Sequence, residues 1–153
     1  METPPTFTSF REVRILALDV GGKRIGLAVS DPLGITAQGL EVLTRQDPET
    51  DLARLTEVAR KWGVQEIVLG LPRHMDGRPG AAVPAILALA RQLQEALGVE
   101  VTTWDERLTT AEAERVLISA DVSRRRRRQV VDQLAAVLIL QSYLDCRRQS
   151  RTD

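Results

Sequence analysis

RILALDVGGKRIGLAVSD, from Arg14 to Asp31, is the stretch from which the rest of the chain can be read. It holds two apolar runs, residues 14–20 and 25–31, separated by Gly21-Gly22-Lys23-Arg24. A glycine-led turn between two such runs predicts a β-hairpin. The first run has the composition of a central strand, yet Asp19 interrupts it. A buried ionised carboxylate is costly unless it is paired, hydrogen-bonded or bound to a metal. Asp19 therefore needs compensation, either from backbone N–H groups of the glycine turn or from a cation.

Outward from the hairpin, ITAQGLEVL (residues 35–43) predicts a third strand with Gly39 at a bulge. Asp47-Pro48 supplies a helix N-cap and a first-position proline. Leu52, Leu55, Val58, Ala59 and Trp62 follow at helical spacing, and Gly63 ends that helix. A short buried strand is expected from Glu66 to Leu71, and the loop PRHMDGRPG leads to a helix over Val83 to Leu97 that stops at Gly98. Val99 to Trp104 predicts a fifth strand, and Thr109 with Glu112 forms a capping box that starts another helix. The last helix is expected from Ser123 to Arg148. Leu134 to Leu140 is too apolar for a surface stripe, so this helix should lie across the sheet. The order βββαβαβαα predicts an α/β fold, a five-stranded mixed sheet flanked by helices on both faces.

At 153 residues and 43% apolar composition the chain suits one domain with a sizeable core. Residues 1–12 are expected as a disordered lead, 13–148 as the single domain and 149–153 as a flexible tail. No run of about 18 apolar residues exists, so no membrane span is expected. METPPTFTSF lacks the pattern of a secretory signal. Cys146 is the only cysteine, which excludes an intramolecular disulfide and a thiolate metal cluster, and a reducing, cytoplasmic location is the expectation. The net charge is zero, from 21 basic and 21 acidic residues, which argues against non-specific coating of nucleic acid. The basic residues are clustered, however, with five consecutive arginines at Arg124, Arg125, Arg126, Arg127 and Arg128.

Two further carboxylate positions resemble Asp19 in being out of place. Asp105-Glu106 follows the fifth strand, and the carboxyl ends of parallel strands are where open α/β sheets bind ligands. Adjacent acids point to opposite sides, so at most one faces Asp19. Asp132 precedes Ala135, Ala136, Ile139 and Tyr143 on one helical face, which turns it toward the sheet. Such an Asp could instead bond the Tyr143 hydroxyl or Arg24. Carboxylates from strand 1, the end of strand 5 and the last helix can converge on divalent cations, Mg²⁺ or Mn²⁺. Mg²⁺ prefers octahedral oxygen ligands, and two ions roughly 4 Å apart serve phosphodiester hydrolysis. No histidine or cysteine is needed, which suits a chain with only His74 and Cys146.

LALDVGGKRIGLAVSD, IVLGLPRHMDG, TTWDERLTTAEAERVL and VDQLAAVLILQSYLD together resemble the YqgF family, also called RuvX, the Holliday junction resolvase-like family. The resemblance spans Arg14 to Asp145 in the right order. It implies an RNase H-like fold and a metal-dependent nuclease. The implied role is chiefly maturation of the 5′ end of small-subunit ribosomal RNA precursors and, by fold analogy, Holliday junction cleavage. It also implies that Asp19, Glu106 and Asp132 are the catalytic, metal-binding acids, choosing Glu106 over Asp105. Gly22 stands where the family often has threonine or serine, and Arg73-His74 replaces a more usual apolar-Asn pair.

The arginine run opens or precedes the last helix, where positive charge opposes the helix dipole. An external anion such as a nucleic-acid backbone would offset this, and its binding would be salt-sensitive. Lys23 and Arg24 sit where they can reach a substrate phosphate. Asp105, His74 and Arg107 are second-rank site candidates. The expected partner is nucleic acid, RNA before branched DNA, bound by a monomer or homodimer. Two other readings are compatible with the sequence: an actin-like ATPase, disfavoured because such enzymes close two domains around ATP, and a non-catalytic factor in ribosome assembly or transcription.

Overall fold

In the computed structural model the described residues are 13–71, 82–105 and 124–152; within 124–152, side chains are described for residues 133–147. The elements are β1 (Ile15–Val20), β2 (Arg24–Ser30), β3 (Ala37–Thr44), α1 (Pro48–Trp62), β4 (Glu66–Leu71), α2 (Val83–Leu97), β5 (Glu100–Asp105) and α3 (Arg124–Thr152). The helix expected after Thr109, and the PRHMDGRPG loop with His74, lie outside the described residues. Residues 149–152, expected as a tail, continue α3.

The sheet order is β3-β2-β1-β4-β5. β1 pairs antiparallel with β2 and parallel with β4, and β4 pairs parallel with β5. This is the expected mixed five-stranded sheet. β1 and β4 are central, which is why their sequences read as nearly unbroken apolar runs rather than alternating ones. The bulge expected near Gly39 is present. Gly26 pairs Val42 while Ala28 pairs Gly39, so β3 carries one extra residue across that step.

The helix ends follow local chemistry. Asp47 caps α1 by accepting from the Thr50 N–H at 2.8 Å, Pro48 occupies the first turn, and Gly63 closes the helix at φ 61°. Gly98 does the same for α2 at φ 66°. Acids in the first turn of α1 and bases in its last turn complement the helix dipole.

Two apolar layers sandwich the sheet. Leu16, Leu18 and Val20 of β1 pack with Leu55 and Ala59 of α1 and Ile86 and Leu93 of α2. Ile15 and Ala17 face the other way and pack with Ala136, Ile139, Leu140 and Leu144 of α3. α3 therefore lies on one face and α1 with α2 on the other, as the βαβ order requires. Ile139, Leu140 and Leu144 are fully buried, each contributing about 1.5–3 kcal/mol from burial.

α3 is also tied to the sheet by polar side chains. Gln133 donates to the Leu40 carbonyl, beside the bulge. Gln141 accepts from the Ala37 N–H at 3.0 Å and donates to the Ile35 carbonyl at 3.0 Å. Tyr143 donates to Glu66 at the start of β4, and Arg147 lies 3.9 Å from the same carboxylate. The C-terminal half of α3 thus sits at the amino end of β4. Its earlier turns lead toward the carboxyl ends of β1 and β4.

Candidate active site

Asp19 stands on the α3 side of β1. Side chains alternate along a strand, and Ile15 and Ala17 already face α3 while Leu18 and Val20 face away. Asp19 is half-buried. Its partner across the β1–β2 ladder is Gly26. On the other flank, one step beyond the Leu18–Leu69 pair, β4 offers Gly70. Neither neighbouring strand therefore places a side chain beside the carboxylate at that level, and the next residue down its own strand face is Ala17. A carboxylate at the carboxyl end of a central strand, flanked by two glycines, is a hard oxygen donor of the kind Mg²⁺ or Mn²⁺ takes.

Position 132 lies on α3 one turn before Ala136, which is fully buried against the sheet. From Tyr143, at the level of Glu66, back to position 132 is about 16 Å along a helix. From Glu66 to Gly70 is about 13 Å along a strand. The backbone of α3 thus carries position 132 toward the end of the sheet where Asp19 stands; the side chain of Asp132 lies outside the described set. The alternative sequence reading, Asp132 bonded to Tyr143, is corrected by the structure, because the Tyr143 hydroxyl is given to Glu66.

Of the adjacent acids, Asp105 pairs with Leu71, whose side chain belongs to the α1–α2 core. Asp105 is consequently on the face opposite Asp19, and it is exposed. Glu106 and Arg107 lie outside the described residues, and the side chains of Arg124 to Arg128 do too, although their backbone forms the first turns of α3. Lys23 is exposed in the β1–β2 turn. Arg24, half-buried, pairs with Thr44 and shares the Asp19 face, one diagonal step away. Among the described residues no three His, Cys, Asp or Glu side chains gather into a metal-binding group.

Two polar groupings escaped the sequence reading. Glu66 is buried on the α3 face, where it accepts from the Tyr143 hydroxyl and from Thr102 Oγ1 at 3.4 Å. Burial, and then the Glu66 carboxylate, push the Tyr143 phenol up to about 12. Trp104 stacks edge-on against Tyr143 with ring centroids 5.4 Å apart. The alternation of EIVLGL, which puts Glu66 on the same face as Val68, was the available signal. The second grouping is Arg45 with Asp51. Asp51 is 5% exposed; its Oδ1 accepts from the Gln46 N–H at 2.9 Å, and its Oδ2 lies 3.6 Å from Arg45 Nε.

The order of the strands, the parallel β1–β4–β5 half, α3 across one face and an acid at the end of β1 define an RNase H-like α/β protein. Residues 13–146 match the family model described as RuvX: Holliday junction resolvase, and the chain belongs to that family. A Moorella thermoacetica protein named "Putative pre-16S rRNA nuclease" is 57% identical over 133 residues, covering 87% of this chain and 95% of that one. A Myxococcus xanthus protein of the same name is 50% identical, covering 92% and 93%. Among solved structures, Thermus thermophilus RuvC in complex with a Holliday junction superposes with a TM-score of 0.59 at 16% identity, covering 90% of this chain and 97% of that one. The fowlpox virus resolvase with its junction DNA gives 0.58 at 10% identity, covering 88% and 98%. These two share the fold. The chain is accordingly a nuclease of this family, and among its described residues no helix is long and apolar enough to cross a membrane.

Proposed function

We propose that this nuclease is metal-dependent and processes the 5′ end of the small-subunit ribosomal RNA precursor in the cytoplasm. The observation that carries the reading is the placement of Asp19 between Gly26 and Gly70 on the face that α3 crosses. The substrate follows the name carried by relatives at 50–57% identity that align over most of their length. Asp19, Glu106 and Asp132 are the residues we assign to hold Mg²⁺ or Mn²⁺. Held there, such ions would supply activation of a water and neutralisation of the leaving oxygen of a phosphodiester.

The protein's own part is positional. The β1 ladder fixes the backbone of Asp19, so its carboxylate enters the reaction already oriented. The apolar seam beneath it, built from Ala17, Ala28 and Ala136, keeps water from the floor of the site and strengthens electrostatic interactions above. Lys23 and Arg24, on the turn beyond Asp19, and Arg124 to Arg128, at the start of α3, are assigned to substrate phosphates. Such contacts hold the strand without reading its sequence.

The test offers two labelled substrates together in Mn²⁺: a precursor RNA 5′ segment and a four-way DNA junction. Parent and Asp19→Asn proteins are compared. Cleavage of the RNA alone, lost in the variant, is the expected result. The description of the family as resolvases favours a second reading, in which paired nicks appear in the junction; that requires two active sites and hence a homodimer. Binding of the RNA without Asp19-dependent cleavage of either substrate would instead make the chain a non-catalytic factor.

A further inference from the structure

The turn that carries Lys23 and Arg24 is held from an unexpected direction. Arg45, just past β3, donates its backbone N–H to the Lys23 carbonyl at 2.8 Å. Its side chain donates through Nη1 to the Gly21 carbonyl at 2.9 Å. The Gly21 N–H closes the turn on the Arg24 carbonyl at 2.8 Å. A Cβ on Gly21 would lie 3.0 Å from that same carbonyl, so the turn is as tight as glycine allows.

Among the described residues nothing lies within 4 Å of where a Cβ of Gly22 would stand. A cavity of about 280 Å³ adjoins Gly21 and Gly22, with Val20, Ile25, Ile86 and Leu89 among its walls. Arg45 ties the turn to the end of β3 by two hydrogen bonds, and Asp51 lies beside its guanidinium. Asp51 is anchored by the Gln46 N–H and lies in the first turn of α1, so it is fixed to a rigid element. Its Oδ2 is buried with no hydrogen-bond partner among the described residues, which leaves the guanidinium at 3.6 Å as its compensation.

We infer that Arg45 and Asp51 are positioning residues for substrate binding: they brace the Gly21–Arg24 turn from α1 and so hold Lys23 and Arg24 where they meet substrate phosphates. This rests on the proposed role of that turn. Asp19 lies inside the β1–β2 ladder, opposite Gly26, so the brace acts on nucleic-acid binding and not on the metal-binding acid.

The experiment measures KM and kcat for a single-stranded precursor RNA 5′ segment in Mn²⁺, with the half-saturating Mn²⁺ concentration as a second readout. Arg45→Met raises KM by about tenfold or more, as expected for removing roughly one charge-assisted hydrogen bond, with kcat and the Mn²⁺ midpoint unchanged. Arg45→Lys recovers part of the loss, because an ammonium can donate to the Gly21 carbonyl but cannot bridge to Asp51 as a planar fork does. Asp51→Asn keeps an acceptor for Gln46 and gives an intermediate KM; it and Arg45→Lys decide the matter if Arg45→Met does not fold. A fall in kcat at constant KM, a shifted Mn²⁺ midpoint, or activity lost only in proportion to folded protein overturns the inference. Lys23→Met is run alongside. If it leaves KM at the parental value, or if the parent itself does not cleave, the proposed role of the turn has failed rather than the brace.

Discussion

Tyr143 on α3 donates its hydroxyl hydrogen to the buried carboxylate of Glu66, the first residue of β4. The bond joins the last helix to the amino end of β4, at the end of the sheet opposite Asp19. Thr102 and Arg147 also meet Glu66, so among the described residues the carboxylate is compensated from both β5 and α3. Because α3 is pinned there and by Gln141 and Gln133 along its length, its earlier turns are delivered to a fixed place.

Tyr143 is the only tyrosine in the chain, so alkaline ultraviolet titration reports this contact alone. The expected midpoint in the native protein is about 12, against about 10 in denaturant. A phenol whose folded pKa lies above its unfolded value contributes stability that is intact below pH 10. That contribution is lost as pH rises through the window from 10 to 12, where the unfolded chain has released a proton that the native protein still binds. Glu66→Gln removes the negative partner and lowers the midpoint toward 10, and a midpoint unchanged by this substitution would refute the assignment. Tyr143→Phe flattens the denaturant midpoint against pH across the same window.

Asp19→Asn separates chemistry from fold. The amide keeps the shape and size of the carboxylate, so the thermal midpoint is expected to stay within about 4 °C of the parent, a change of no more than roughly 1 kcal/mol for a domain of this size. Cleavage in Mn²⁺ should fall by more than about a hundredfold, beyond the loss usual for removing a residue that only supports a metal ligand. A variant that melts like the parent and cleaves like it would end the proposed role of Asp19.

How much was legible depended on where the compensating partner of each residue lay. Alternation and turn chemistry are local, so the Gly21–Arg24 hairpin, the Asp47 cap, the Gly39 bulge and the five strands could be read from neighbouring residues. Asp19 was legible for the same reason: a carboxylate inside an apolar run violates a local pattern. Glu66 breaks its run just as Asp19 does, but it stands at the edge of EIVLGL, where an acid passes for the end of a loop. Its partners Tyr143 and Arg147 are far along the chain, on the last helix. The Arg45–Asp51 brace was hidden differently. Both residues flank a helix cap where charge is ordinary, and only the folded hairpin brings Gly21 within reach of Arg45.

Gly39 makes room for Gln133. A Cβ there would stand 2.8 Å from Gln133 Cγ and 2.9 Å from its Cδ, mid-chain atoms that cannot give way without breaking the bond to the Leu40 carbonyl. Gly39→Ala should therefore destabilise by about 1–2 kcal/mol, from overpacking and the broken hydrogen bond. In urea the midpoint falls while the slope is retained. With Gln133→Ala already present, adding Gly39→Ala should cost almost nothing, because the atoms it strikes are gone. Additive losses would mean that the glycine serves the bulge itself and not the packing of the helix.

The arginines at the start of α3 make opposite predictions for stability and for binding. Positive charge in the first turn of a helix works against its dipole at about 0.3–1 kcal/mol per residue at low salt. Replacing Arg125, Arg126 and Arg127 by glutamine should thus leave the thermal midpoint unchanged or raise it. If the same side chains neutralise RNA phosphates, affinity falls, and the slope of log K against log salt shrinks by roughly 0.7 for each single-strand phosphate no longer neutralised. The weakening should be the same for unrelated RNA sequences, since interactions with the phosphate backbone carry no sequence information. A variant that melts higher and binds more weakly, with a shallower salt slope, cannot be explained by partial unfolding. A salt slope equal to that of the parent would show that the run is a solvated charge cluster and that RNA phosphates are held elsewhere on the protein.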